Sequence, residues 1–453
     1  MLIIIIFICL YISIMPYIIM PFYTYKQNKI NNISDYYSIK EFTNNIIYSS
    51  LIIGTPPQEI IANINFNDYA FNIYNNQCDI PSEYNSINKN STTRINKGYI
   101  LTDVYVDTFL LEDIFYLPKN PNKSFILNYI YAPMNNNIFE TNIEKKNFTC
   151  ANIGLKLSVD FAGTFDLNFL RELKSLDIID NYIFYFSYND TIKEQGNLII
   201  GKLPHEMDKN KYDFIQFREV YAINNKFALS WMLRFDKIFL EFNNSNNIIR
   251  YNITENLEAE MDYNLNVIYG SNEFRELIEE IYFNEKIDSN ICKKNNLIDN
   301  KLIYYECEFS LDLKSFPELK FVHKGLSSTF NITYEDIFFT DKNKYIFLIF
   351  FNTGDNKKIW KLGKPFLEKY LFTFNLDKKT IGHYCIKKDK LTNISSKEEN
   401  ANLKFTIIKI SILSFVAFIL CFIITKYYYR NKNKDTNNKK LTELIYLDEA
   451  NSK

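Results

Sequence analysis

The chain has 453 residues, 47% of them hydrophobic and 17% aromatic, with 52 basic residues against 53 acidic ones and a net charge of −1. That composition can fill large buried cores and excludes a disordered chain. Nothing in the balanced charge suggests a nucleic-acid partner, and none is expected.

Residues 1–22 are apolar and uncharged from Leu2 to Pro21 and read as a secretory signal peptide. Pro16 and Pro21 argue against a membrane helix there. Residues 23–45 are polar and read as a lead-in. From Ile46 to about residue 390, short runs of Ile, Phe, Tyr and Val alternate with clusters of Asn, Asp and Lys. The pattern predicts a mainly β protein with a few short helices. Two helices are predicted, Leu167 to Leu176 and Asn272 to Tyr282, from apolar residues at i, i+3/i+4 spacing.

Residues 391–404 read as a stalk and 405–428 as one C-terminal transmembrane helix. Phe405 to Thr425 is apolar except for Lys409, and it is long enough to span a bilayer. Lys426, Arg430, Lys432 and Lys434 follow at once, so the tail 429–453 is expected in the cytosol and the rest in a lumenal or extracellular space. This is the layout of a single-pass type I protein of the secretory pathway.

Of seven cysteines, Cys9 lies in the signal and Cys421 in the span. Cys78, Cys150, Cys292, Cys307 and Cys385 remain for an oxidising compartment, where disulfides form. Cys292 and Cys307 flank one loop and are the first expected pair. The pairing of Cys78, Cys150 and Cys385 stays open, because five is odd. Sequons, among them Asn189, Asn252 and Asn331, permit a glycoprotein. His205, His323 and His383 are far apart and form no metal spacing, and no metal or cofactor is expected. No G-x-S-x-G, H-E-x-x-H or P-loop pattern occurs.

The stretch Ile52-Ile53-Gly54-Thr55-Pro56-Pro57-Gln58 joins two apolar runs through a turn in which Gly54 permits φ > 0 and the prolines fix φ. It resembles the first hairpin of pepsin-like aspartic peptidases. Further on, Phe169 to Leu173, Ile183 to Ser187, Gly196 to Gly201 and Phe316 to Phe321 are similar to that family's elements in order. Trp360-Lys361-Leu362-Gly363 with Phe366, Leu367, Tyr370, Phe374 and Ile381-Gly382 gives the strongest late match. The resemblance spans about residues 46–385. It implies a bilobal pepsin-like fold, with an N-terminal lobe at 46–220 and a C-terminal lobe at 221–390.

The family uses two aspartates, one per lobe, each on a D-T-G loop. The two share one proton, so that one acts as base on a bridging water and the other donates to the carbonyl. Seven residues on from Gln58 stands Asn65, in Asn65-Phe66-Asn67-Asp68. The second position matches Asp262, in Met261-Asp262-Tyr263-Asn264. The resemblance therefore implies a degenerate pair, Asn65 and Asp262, with Phe66, Asn67, Tyr263 and Asn264 lining a substrate cleft. Phe66 and Tyr263 replace both threonines, so the hydroxyl lock between the loops is expected to be lost. Asp68 stands three residues late for the missing acid. The expected function is that of a membrane-anchored pseudoprotease that binds a protein or peptide between its lobes. The rivals are an active aspartic endopeptidase with a non-standard site and a structural surface glycoprotein.

Overall fold

The computed structural model describes residues 17–24, 36–75, 91–100, 108–117, 120–133, 151–157, 168–189, 191–192, 194–223, 230–244, 247–255, 257–297, 301–353 and 359–384. All of them belong to the compact unit that ends at Cys385; a second unit takes residues 386–453.

Thirteen strands form one continuous sheet. From one edge the order is Phe217–Tyr221, Thr380–Tyr384, Phe372–Asn375, Ile183–Tyr188, Gln195–Ile200, Ile18–Thr24 and Ile47–Ile53. It continues through Gln58–Asn65, Ala151–Gly154, Phe71–Asn75, Asn120–Pro133 and Thr108–Leu117 to Ile95–Ile100. Strands from both ends of this unit thus share one sheet. A nine-stranded and a four-stranded sheet complete the C-terminal half. The fold is mainly β with short helices, as the composition and periodicity predict.

Strand-period alternation explains why these segments pair. In Ile47–Ile53 every second side chain is buried, with Ile47, Leu51 and Ile53 in the core. Ser49 shares that face, and its hydroxyl donates to the Pro21 carbonyl at 2.7 Å. Gly54 then turns the chain at φ 79°.

The stretch before residue 46 is more structured than its polar composition suggests. Ile18–Thr24 buries Ile18, Met20, Phe22 and Thr24 and pairs with both Gln195–Ile200 and Ile47–Ile53. This strand overlaps the end of the segment read as a signal, 1–22. Its alternation is masked in sequence because the intervening residues are apolar too. Within the lead-in, Tyr36–Thr43 is helical, and it docks Ile39 and Phe42 on Val267, Leu302, Tyr304, Ile346 and Phe350 of the C-terminal half.

Both predicted helices form. Phe169–Ser175 is capped by Asn168, whose side chain accepts from Leu170 N and Arg171 N. Asn272–Ile278 is capped by Ser271 and runs on through a π turn, Glu279–Phe283, into Asn284–Asp288. Cys292 and Cys307 face each other on antiparallel strands and form the expected disulfide. Cys78, Cys150, Cys385 and the span 405–428 lie outside the described residues. No helix among the described residues is long and apolar enough to cross a membrane.

Candidate active site

Two loops are delivered by the same device, used twice. Gln58–Asn65 runs parallel to Ala151–Gly154, which also pairs antiparallel with Phe71–Asn75. Glu258–Met261 runs parallel to Trp360–Leu362, which also pairs antiparallel with Ile268–Tyr269. Each loop is therefore threaded around a glycine. A Cβ on Gly154 would lie 2.4 Å from Tyr69 C, and one on Gly363 only 2.1 Å from the Val267 carbonyl oxygen. Nothing larger than hydrogen fits at either place. This repeat is the internal duplication that a two-lobed fold requires, and residue identities alone do not display it.

The loops bring Asp262 and the first-loop asparagines to one seam. Asp262 is 4% exposed. Its Oδ1 accepts from Asn264 N at 2.9 Å, and its Oδ2 accepts from the Asn67 side-chain amide at 2.8 Å. Asn65 makes the equivalent turn in its own loop, with Oδ1 accepting from Asn67 N at 2.8 Å. Among the described residues no second carboxylate bonds to Asp262. Burial pushes the Asp262 carboxyl above the usual carboxylate range; the bonds from Asn67 and Asn264 oppose this, Glu260 adds to it and Lys361 offsets it.

The lock between the loops is rebuilt rather than lost. Asn264 Oδ1 accepts from Phe66 N at 2.6 Å, while its Nδ2 donates to the Ile64 carbonyl at 2.9 Å and to the Asn45 carbonyl at 3.3 Å. One amide supplies the acceptor and the donor that a threonine hydroxyl would supply. Buried Asn45 braces the same loop, donating from Nδ2 to Tyr263 O at 2.7 Å and from its backbone to Asn264 O at 2.7 Å. The expectation of a lost lock counted hydroxyls and overlooked the bifunctional amide of Asn264, the next residue after Tyr263.

Phe66 and Tyr263 do not line a cleft. They are 3% and 1% exposed, and their rings point beneath the loops. Phe66 packs on Tyr263, Phe374 and Phe184, and Tyr263 stacks on Phe186 at 4.3 Å. Where the threonines would bond, this chain has an aromatic plug across the seam. Of the four residues expected at the cleft, Asn67 is exposed and Asn264 half-buried.

Asp68 turns away from the seam. Its Oδ2 accepts from Asn152 Nδ2 at 2.7 Å and its Oδ1 from Ala70 N at 3.1 Å, so it serves its own loop. Burial raises its carboxyl above the usual range, against its backbone and Asn152 bonds and Lys156. Sequence reasoning missed Asn45 and Asn152. Both lie in Asn-rich segments, where a functional asparagine looks like its neighbours.

Asp262 offers one carboxylate, held by N–H donors on both oxygens. It can accept hydrogen bonds, and among the described residues no acid is bonded to it with which to share a proton. The family model for eukaryotic aspartyl proteases matches residues 153–384, just over half of the chain. The match takes in Asp262 and begins after the first loop. No curated protein matches the chain.

Proposed function

The chain belongs to the eukaryotic aspartyl protease family, and from that premise we propose that it is a single-pass membrane protein whose inter-lobe cleft holds an extended peptide or protein segment without cutting it. One observation carries the proposal: Asn67 donates its amide to Asp262 Oδ2, where a peptidase needs a water shared with a second acid. An amide takes no proton from water at any working pH. Loss of one positioned acid–base partner costs about 10²–10⁴ in rate. Strand-like backbone pairing in a cleft does not need that acid, so binding outlives cleavage.

An active endopeptidase is the second reading. It is favoured by Asp262 itself, which is buried and raised in the manner of a proton donor. One experiment separates the two. Full chain in lipid nanodiscs is incubated with a peptide library at mildly acidic pH, and both bound and cleaved peptides are read by mass spectrometry. Bound, intact peptides are the expected result. Cleavage that disappears in Asp262→Ala would overturn the proposal.

A further inference from the structure

Two of the most exposed apolar side chains sit where the chain leaves the fold. Phe214 and Ile215 are 68% and 67% exposed on the 3₁₀ turn Phe214–Gln216. Asp213 shapes that turn, its carboxylate accepting from Ile215 N at 2.9 Å. The turn feeds Phe217–Tyr221, the edge strand of the large sheet, which pairs with Thr380–Tyr384 so that Phe217 stands opposite Tyr384. Tyr384 is the last described residue. Its ring lies 5.0 Å from Phe217, 5.3 Å from Tyr212 and 5.9 Å from His205, and His205 lies 5.1 Å from Phe214. Ring contacts thus fix the apolar turn beside the exit.

Residues 386–404 separate this exit from the apolar run that begins at Phe405. Fully extended, a segment of that length reaches at most about 65 Å, which keeps the turn within reach of a bilayer that holds the run. Exposed Lys209 and Lys211 beside the turn are balanced by exposed Asp208 and Asp213, so the insertion rests on the two apolar side chains.

We propose that the Phe214–Ile215 turn inserts into the head-group region of the membrane that holds the C-terminal span, and so fixes how the cleft is presented. The inference rests on the anchored reading given above. Elsewhere, Ile248 is 61% exposed on the hairpin Lys237–Asn244/Asn247–Ile253 and has no such link to the exit, which makes it the control.

The test uses full chain reconstituted in phosphatidylcholine–phosphatidylserine vesicles with and without brominated acyl chains. The two native tryptophans, Trp231 and Trp360, are buried, so the wild-type chain supplies a baseline. In Phe214→Trp, emission from the added indole should fall at least about twofold in brominated vesicles, and Ile215→Trp should follow it. Ile248→Trp should stay unquenched. Equal emission in both vesicle types at 214 and 215, or equal quenching at 248, overturns the inference. An alkaline carbonate wash tells the two failures apart. A chain that washes off sinks the anchored reading and this inference with it; a chain that stays without quenching sinks the inference alone.

Discussion

Asn67 on the first loop donates its side-chain amide to Asp262 Oδ2 on the second at 2.8 Å. The bond joins positions 195 residues apart and fills the place beside Asp262 with a donor. Restoring an acid at position 65 therefore does not restore a pair. Asn65→Asp alone is expected to cleave nothing in a peptide library at mildly acidic pH. Asn65→Asp with Asn67→Gly frees Oδ2 and adds an acid on the first loop, and cleavage is expected from that double variant only. Cleavage by Asn65→Asp alone would show that Asn67 does not block the seam.

Asn264 carries more of the inter-loop contact than Asn67. In Asn264→Ala, Phe66 N and the Ile64 carbonyl both lose their cross-loop partner. Each buried polar group left unsatisfied costs about 1–3 kcal/mol, so a loss of about 2–6 kcal/mol is expected by chemical denaturation. Asn264→Asp keeps the acceptor for Phe66 N and should lose less. Asn67 is exposed, and Asn67→Ala should cost about 1 kcal/mol or less. Equal losses from Asn67→Ala and Asn264→Ala would dismiss the amide lock.

Some of this was legible in the residues, and the boundary is physical. The apolar run that ends at Ile53 and the Gly54-Thr55-Pro56-Pro57 turn announce the first hairpin, because a β-type run bounded by turn residues reads as a strand. The nearness of Cys292 and Cys307 in sequence announces their disulfide, which the hairpin closes by setting them opposite each other. Ile18–Thr24 escaped notice because its inward and outward residues up to Tyr23 are apolar or aromatic alike, so no period survives. The inward turn of Phe66 and Tyr263 was hidden for another reason. Where a loop side chain points depends on what lies beneath it, here Phe184, Phe186 and Phe374, which come from distant strands. The amide lock likewise needs Asn264 and Ile64 in one place, which only the paired loops provide.

Gly363 and Gly154 should tolerate no side chain. The nearest atoms a Cβ would strike are backbone atoms of Val267 and Leu265 at Gly363 and of Tyr69, Ala70 and Asp68 at Gly154. Backbone in a hydrogen-bonded loop cannot swing aside as a long side chain can. Overpacking of this kind costs about 1–3 kcal/mol or more. Gly363→Ala and Gly154→Ala should each lower the thermal midpoint and reduce the amount of folded chain, by similar amounts because the device is the same. A midpoint unchanged within a degree in either variant would refute the close-threading account.

His383 makes the fold sensitive to acid. Its ring is buried between Phe330 and Phe372, with Nδ1 3.0 Å from the Leu371 carbonyl. Burial lowers its pKa from 6.5 to about 4, and the Leu371 contact offsets this only partly. Between those two values the unfolded chain binds a proton that the folded chain refuses. Stability is therefore full above pH 6.5 and falls as the pH drops toward 4. At about 1.4 kcal/mol per pH unit, the loss across that window is about 3 kcal/mol. His383→Phe, which has no proton to gain, should flatten the fall without abolishing the fold, since the site is walled by rings. Asp262 works in the opposite sense, because its raised carboxyl favours folding at low pH, and Asp262→Asn should steepen the net acid loss. Denaturation midpoints at intervals from pH 7 to pH 4 for the wild-type chain and both variants decide the matter. Parallel curves for all three would mean that neither group governs the acid response.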